Sequence, residues 1–283
     1  MNISKNLVLE RHGKKPILID VFKSDIYGNQ PISIFCHGYK GFKDWGAWDL
    51  MAKSLAKSGY CFIKFNFSHN GGTITNPIDF PDLEAFGNNN YSKELDDIND
   101  VIDWVETRFK DHQNIDIDQI ILIGHSRGGG ISIIKASEDL RIKKLITLAS
   151  VCDFSKRTAT IGELKEWRES GVKYVLNGRT KQQMPHYYQF YEDFKANEER
   201  LNIESAIKKL TIPHLIIHGD NDTSVSIQEG RNLNKWNPNC KLKVIKGADH
   251  VFNTKHPWEK DELSAELSSA INSIKEFTNK KAQ

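Results

Sequence analysis

Apolar and polar positions follow two different rhythms along this chain. Short, nearly continuous apolar runs occur at residues 17–23, 32–36, 60–65, 119–123, 144–150, 212–218 and 242–245. Runs of that length, bounded by turn-forming residues, predict strands buried on both faces. Between them apolar residues recur every three to four positions. Trp48, Met51, Ala52, Leu55 and Ala56 form one stripe within 45–58, and Leu95, Ile98, Val101, Ile102, Val105 and Phe109 form another within 94–109. These spacings predict helices with one buried face. Further helices are predicted directly after residue 127, around 227–236 and around 259–278. Strands alternating with helices predict an α/β architecture, a doubly wound and mostly parallel sheet.

Two stretches interrupt the alternation. Residues 66–91 form a polar loop rich in Asn, Gly and Pro; loops this long tend to be functional or mobile. Residues 153–207 lack a sheet-strand pattern and hold the aromatic run His186-Tyr187-Tyr188-Gln189-Phe190-Tyr191-Glu192-Asp193-Phe194. Within them, Lys173–Leu176, Asn177-Gly178 and Arg179–Gln182 predict a hairpin closed by a type I′ turn. Residues 153–207 therefore read as a cap inserted over the sheet's C-terminal edge, with 1–152 and 208–283 as the core.

Composition narrows the function classes. The net charge of +2 offers no electrostatic case for nucleic acid or an anionic membrane as partner. No apolar stretch reaches membrane-span length, and the N-terminus lacks a signal-peptide core, so the expected location is the cytoplasm. Cys36, Cys61, Cys152 and Cys240 are scattered, without a C-x-x-C pair, and fit buried free thiols. Homo-oligomerisation is left open.

The chemistry concentrates at Gly124-His125-Ser126-Arg127-Gly128. This G-x-S-x-G follows an apolar run and precedes a helical stretch. That order places a serine on a sharp strand-to-helix bend, the nucleophile elbow. A phosphate loop is the competing reading, but no G-x-x-x-x-G-K-[ST] is present. A serine hydroxyl needs a base and the base an orienting acid. His218-Gly219-Asp220-Asn221-Asp222 follows one predicted strand, and Ala248-Asp249-His250 follows another. In an open parallel sheet such strand-end loops converge on one crevice. Ser126, an acid within 220–222 and His250 are thus expected to meet. His37, His125, His218 and His250 lack ligand spacing, so no metal is expected.

With His37-Gly38-Tyr39, these motifs make the chain resemble the α/β-hydrolase superfamily. Within it, the chain resembles serine hydrolases that include feruloyl and cinnamoyl esterases and prolyl-oligopeptidase-like aminopeptidases. The resemblance implies Asp222 as the acid, with Asp220 as runner-up. It also implies an oxyanion hole from the backbone N–H groups of Tyr39 and Arg127, and acyl transfer without a cofactor. The expected substrate is a small carboxylic ester or a short peptide, the ester favoured. Tyr39, Phe42, His69, Tyr187 and Tyr188 are the candidate substrate-binding residues. A peptidase would need an acidic anchor for a free amine, for which Glu163, Glu166, Glu192 and Asp193 are the candidates. A non-catalytic binding protein of the same fold is the third reading.

Overall fold

The apolar runs do pair into one central sheet, which a computed structural model describes over residues 1–25 and 28–279; the last four residues of the expected core lie outside the described residues. In chain order the first half comprises β1 (Asn2–Leu9), β2 (Ile17–Lys23), β3 (Gln30–Cys36), α1 (Trp48–Ala56), β4 (Cys61–Phe65), α2 (Leu83–Gly87), α3 (Tyr91–Phe109), β5 (Ile115–His125), α4 (Arg127–Glu138) and β6 (Ile142–Leu148). Next come α5 (Phe154–Ala159), α6 (Leu164–Ser170), β7 (Val172–Leu176), β8 (Gln183–Tyr187), α7 (Gln189–Ala196) and α8 (Ile203–Lys209). The chain closes with β9 (His214–Gly219), α9 (Ile227–Trp236), β10 (Lys241–Ile245) and α10 (Ala265–Asn279).

Eight strands run in the order β1-β2-β4-β3-β5-β6-β9-β10. The pairs from β4 through β10 are parallel, and β1 and β2 add an antiparallel edge. Helices cover both faces, as nearly continuous apolar strands require. On one face α3, α4, α8 and α9 pack together; on the other, α1 packs with α10. Among the described residues no helix is long and apolar enough to cross a membrane. All four cysteines are buried and free.

The segment between β6 and β9 carries α5, α6, α7, α8 and the separate two-stranded sheet of β7 and β8. Its aromatics are tied to the helical layer. Phe154 stacks on Tyr91 with centroids 4.0 Å apart, and Phe190 meets the same ring edge-on at 4.8 Å. Each buried ring of this size contributes roughly 1.5–3 kcal/mol.

Three local expectations are corrected. The hairpin exists, but its second strand is Gln183–Tyr187, not 179–182. The buried Asn177 side chain accepts N–H groups from Arg179 and Thr180, closing an Asx-type loop in place of a two-residue turn. The last helix begins at Ala265, because the Ser264 hydroxyl accepts the Leu267 N–H and caps it there. The 66–91 loop contains the short helix α2, capped by Asp82.

Candidate active site

Ser126 sits between β5 and α4 with φ 56° and ψ −120°. A non-glycine residue in that region is strained, by about 1–3 kcal/mol, and persists only where its surroundings impose it. Its N–H donates to the Leu148 carbonyl at 2.9 Å, and its own carbonyl accepts from Gly129 at 3.0 Å. Gly128 lets the helix start against β3: a Cβ there would lie 2.4 Å from the His37 carbonyl oxygen and 2.5 Å from that of Cys36.

The loops after β9 and β10 deliver the partners. His250 Nε2 lies 3.0 Å from Ser126 Oγ, and His250 Nδ1 lies 2.8 Å from Asp222 Oδ2. Nδ1–H donating to the carboxylate leaves Nε2 to accept the serine proton, the tautomer a general base needs. The other Asp222 oxygen accepts the N–H groups of Ser224 and Val225, both at 2.8 Å. Burial pushes the Asp222 carboxyl up, but hydrogen bonds from His218, His250 and the Val225 N–H outweigh it and hold the group well below the ordinary carboxylate range. Asp220 points elsewhere and accepts the Gly247 N–H at 2.6 Å, tying the two loops together.

Two further histidines support the trio without joining it. His125 donates Nε2–H to the main-chain carbonyl of His250 at 2.9 Å. Burial, followed by repulsion from His250, lowers its pKa to about 3, so it stays neutral. His218 donates to the Val225 carbonyl at 2.8 Å and stands 3.4 Å from Asp222.

The loop after β3 approaches from the other side. A Cβ on Gly38 would lie 2.8 Å from Ser126 Cβ, so only glycine permits this approach. Tyr39 follows directly. Among the described residues, no acceptor pairs with the backbone N–H of Tyr39 or of Arg127. The loop is anchored beneath by buried charge. Lys43 Nζ lies 2.9 Å from Asp20 Oδ2, Lys64 Nζ lies 3.2 Å from the same oxygen, and Asp44 and Asp49 complete the cluster.

These elements enclose a cleft of about 330 Å³ with Ser126 and His250 on its surface. Val151, Phe154, Ile161, Val175 and Val225 supply apolar wall, while Tyr39, Tyr91 and Arg127 supply an aromatic and cationic one. Tyr39 also hydrogen-bonds His186 Nε2 at 3.0 Å. The other expected pocket residues do not line this cleft. Phe42 is fully buried in a separate cluster with Phe80, Phe86 and Met184. His69 turns to the Ser68 hydroxyl at 2.8 Å. Tyr187 donates its hydroxyl to Glu84, and Tyr188 packs on Trp167 and Tyr191. His69 is held within its own loop, whereas Phe42, Tyr187 and Tyr188 are taken up by residues of other segments. Of the wall residues not singled out in the sequence, only Val225 lay beside a motif, three residues after Asp222.

The strand order, the strained bend and the crevice at the C-terminal strand ends define the class. The chain belongs to the α/β-hydrolase fold family, whose profile matches residues 34–181. Non-heme chloroperoxidase CPO-A1 of Kitasatospora aureofaciens is 21% identical over 289 residues, spanning 90% of this chain and 96% of that one. Est1E from Butyrivibrio proteoclasticus, also solved with ferulic acid bound, superposes with a TM-score of 0.70 at 20% identity, covering 97% and 98% of the two chains. A putative dipeptidyl aminopeptidase IV from Bacteroides ovatus superposes at 0.65 with 13% identity over 98% of this chain and 35% of that one. At these identities the structural likeness carries the fold and no more.

Proposed function

We propose that this protein hydrolyses carboxylic esters through an acyl-enzyme on Ser126. Family membership supports a hydrolase. The observation that carries the finer reading is the unbroken chain from Ser126 Oγ through His250 to Asp222, at 3.0 and 2.8 Å, behind a serine held at φ 56°.

His250 takes the proton as Ser126 Oγ attacks the ester carbonyl carbon. The carbonyl oxygen becomes an oxyanion facing the Tyr39 and Arg127 N–H groups and the start of α4. The tetrahedral species collapses, the alcohol leaves with the proton from His250, and the acyl group stays on Ser126. A water gives its proton to the same imidazole and releases the acid, restoring the serine. Asp222 holds the imidazole in the useful tautomer throughout. Residues 153–207, which supply Phe154, Ile161 and Val175 to the wall, act as the cap.

A peptidase would use the same trio, but its amine anchor lacks support. Glu163 caps α6, Glu166 pairs with Lys173, and Asp193 accepts from Asn197, while none of Glu163, Glu166, Glu192 or Asp193 lines the cleft. The test is labelling by a fluorophosphonate probe together with turnover of p-nitrophenyl acetate and aminoacyl anilides. Labelling and ester turnover that vanish in Ser126→Ala are expected, with little anilide cleavage. Full activity in that variant, or anilides cleaved in preference to esters, would overturn the reading.

A further inference from the structure

Two arginines are among the residues that line the cleft, and the surroundings of their guanidinium groups differ. Arg157 is neutralised: it pairs with Glu229 and donates to the Ser224 carbonyl at 3.2 Å. Arg127 has no comparable partner. Its side chain is only 12% exposed, yet its ion pair with Glu94 spans 3.6 Å, beyond hydrogen-bond distance. Glu94 spends its Oε1 on Asn89 at 2.7 Å, and its Oε2 is buried without a partner. Burial pushes the Glu94 carboxyl up, and the Arg127 charge offsets only part of that rise.

Aromatic rings gather around the Arg127 group. Its central carbon lies 4.2 Å from the Tyr39 ring centroid, 5.4 Å from that of Tyr91 and 5.5 Å from that of Phe190. Rings in that position hold a guanidinium through its π-face. They offer no acceptor for its five N–H donors. A largely desolvated cation, ringed by aromatics and weakly paired, therefore stands beside the serine, in a cleft that also carries an apolar wall.

We propose that Arg127 anchors a carboxylate on the substrate, so that the preferred esters carry a free acid group a few bonds from the scissile carbonyl. This rests on the esterase reading above. A bidentate contact from guanidinium to carboxylate adds direction as well as charge. The intervening chain would lie on Val151, Phe154, Ile161 and Val175.

The test compares charged and uncharged versions of the same ester. Mono-4-nitrophenyl adipate is set against methyl 4-nitrophenyl adipate, and 3-carboxyphenyl butyrate against its methyl ester. The wild-type protein is expected to prefer the charged member of at least one pair by about tenfold or more in kcat/KM. Arg127→Gln is expected to abolish that preference, and Arg127→Lys to keep part of it. No preference in either pair, or a preference that survives Arg127→Gln, would overturn the proposal. Calorimetry keeps the two readings apart. Ser126→Ala should bind monomethyl adipate more tightly than dimethyl adipate, and the double variant Ser126→Ala/Arg127→Gln should not. Failure of Ser126 labelling alongside that binding difference would sink the esterase reading alone, whereas labelling without any binding difference would sink the carboxylate anchor alone.

Discussion

The Nε2–H of His125 meets the main-chain carbonyl of His250 at 2.9 Å, so the residue before the serine holds the backbone of the residue that would deprotonate it. The two rings lie 4.8 Å apart, and Trp48 backs His125 at 5.2 Å. His125 is thus a positioning residue. His125→Phe removes the donor and is expected to lower kcat/KM, and the rate of Ser126 phosphonylation, by about tenfold. His125→Gln, which keeps a donor, should recover part of the loss. Equal rates in wild type and His125→Phe, with melting temperatures also unchanged, would show that the bond has no such role.

Asp222 links activity to acid stability. Its carboxyl binds a proton more weakly in the folded state than in the unfolded chain. The stabilisation is therefore complete above the ordinary carboxylate pKa of about 4 and is lost as pH falls through the depressed folded value. Asp222→Asn should lower kcat by about four orders of magnitude, by offering His250 the wrong tautomer. Its stability deficit, read from melting curves at stepped pH, should be widest near neutrality and narrow below about pH 4.

Asp20 is fully buried between Lys43 and Lys64, both of which are also buried. Asp20→Asn removes the most deeply buried acid of the cluster, while Asp44 and Asp49 still pair with the lysines, and should cost about 1–3 kcal/mol in urea unfolding. Lys43 also lies in the loop that presents Tyr39, and its N–H donates to Asn66 Oδ1 at 2.6 Å. Surviving protein at low temperature should therefore show reduced turnover as well.

Gly38→Ala would force a methyl group to 2.8 Å from Ser126 Cβ and 3.2 Å from the His125 carbonyl oxygen. The loop must retreat, taking the Tyr39 N–H with it. Turnover is expected to fall about a hundredfold, with a stability loss of about 1–3 kcal/mol. Gly178→Ala is the control: nothing lies within 4 Å of its Cβ, and stability should stay within about 0.5 kcal/mol.

Much of the fold was legible in the chain because interior strands must be apolar on both faces. Ile17–Lys23 and Ile227–Trp236 match their expected spans, and other interior elements shift by a few residues. The edge strand Asn2–Leu9 escaped notice because it is mostly exposed and its apolar residues do not alternate cleanly. The residues expected to form the trio converge for a topological reason, since each follows a parallel strand. Pocket walls obey no such rule. Tyr91 at the start of α3 and Phe154 at the start of α5 reach the cleft only through packing between distant segments, while Tyr187 and Tyr188, in a conspicuous aromatic run, turn elsewhere. Local pattern cannot report which face of a short hairpin will dock.

Ser126, Asp222 and His250 emerge from the strand framework, whereas Phe154, Arg157, Ile161 and Val175 emerge from the stretch joining β6 to β9. The two sets occupy separate portions of the polypeptide. Sequence change within 154–175 would alter part of the cleft wall without replacing any of the three residues. The wall and the trio can therefore diverge at different rates along one polypeptide.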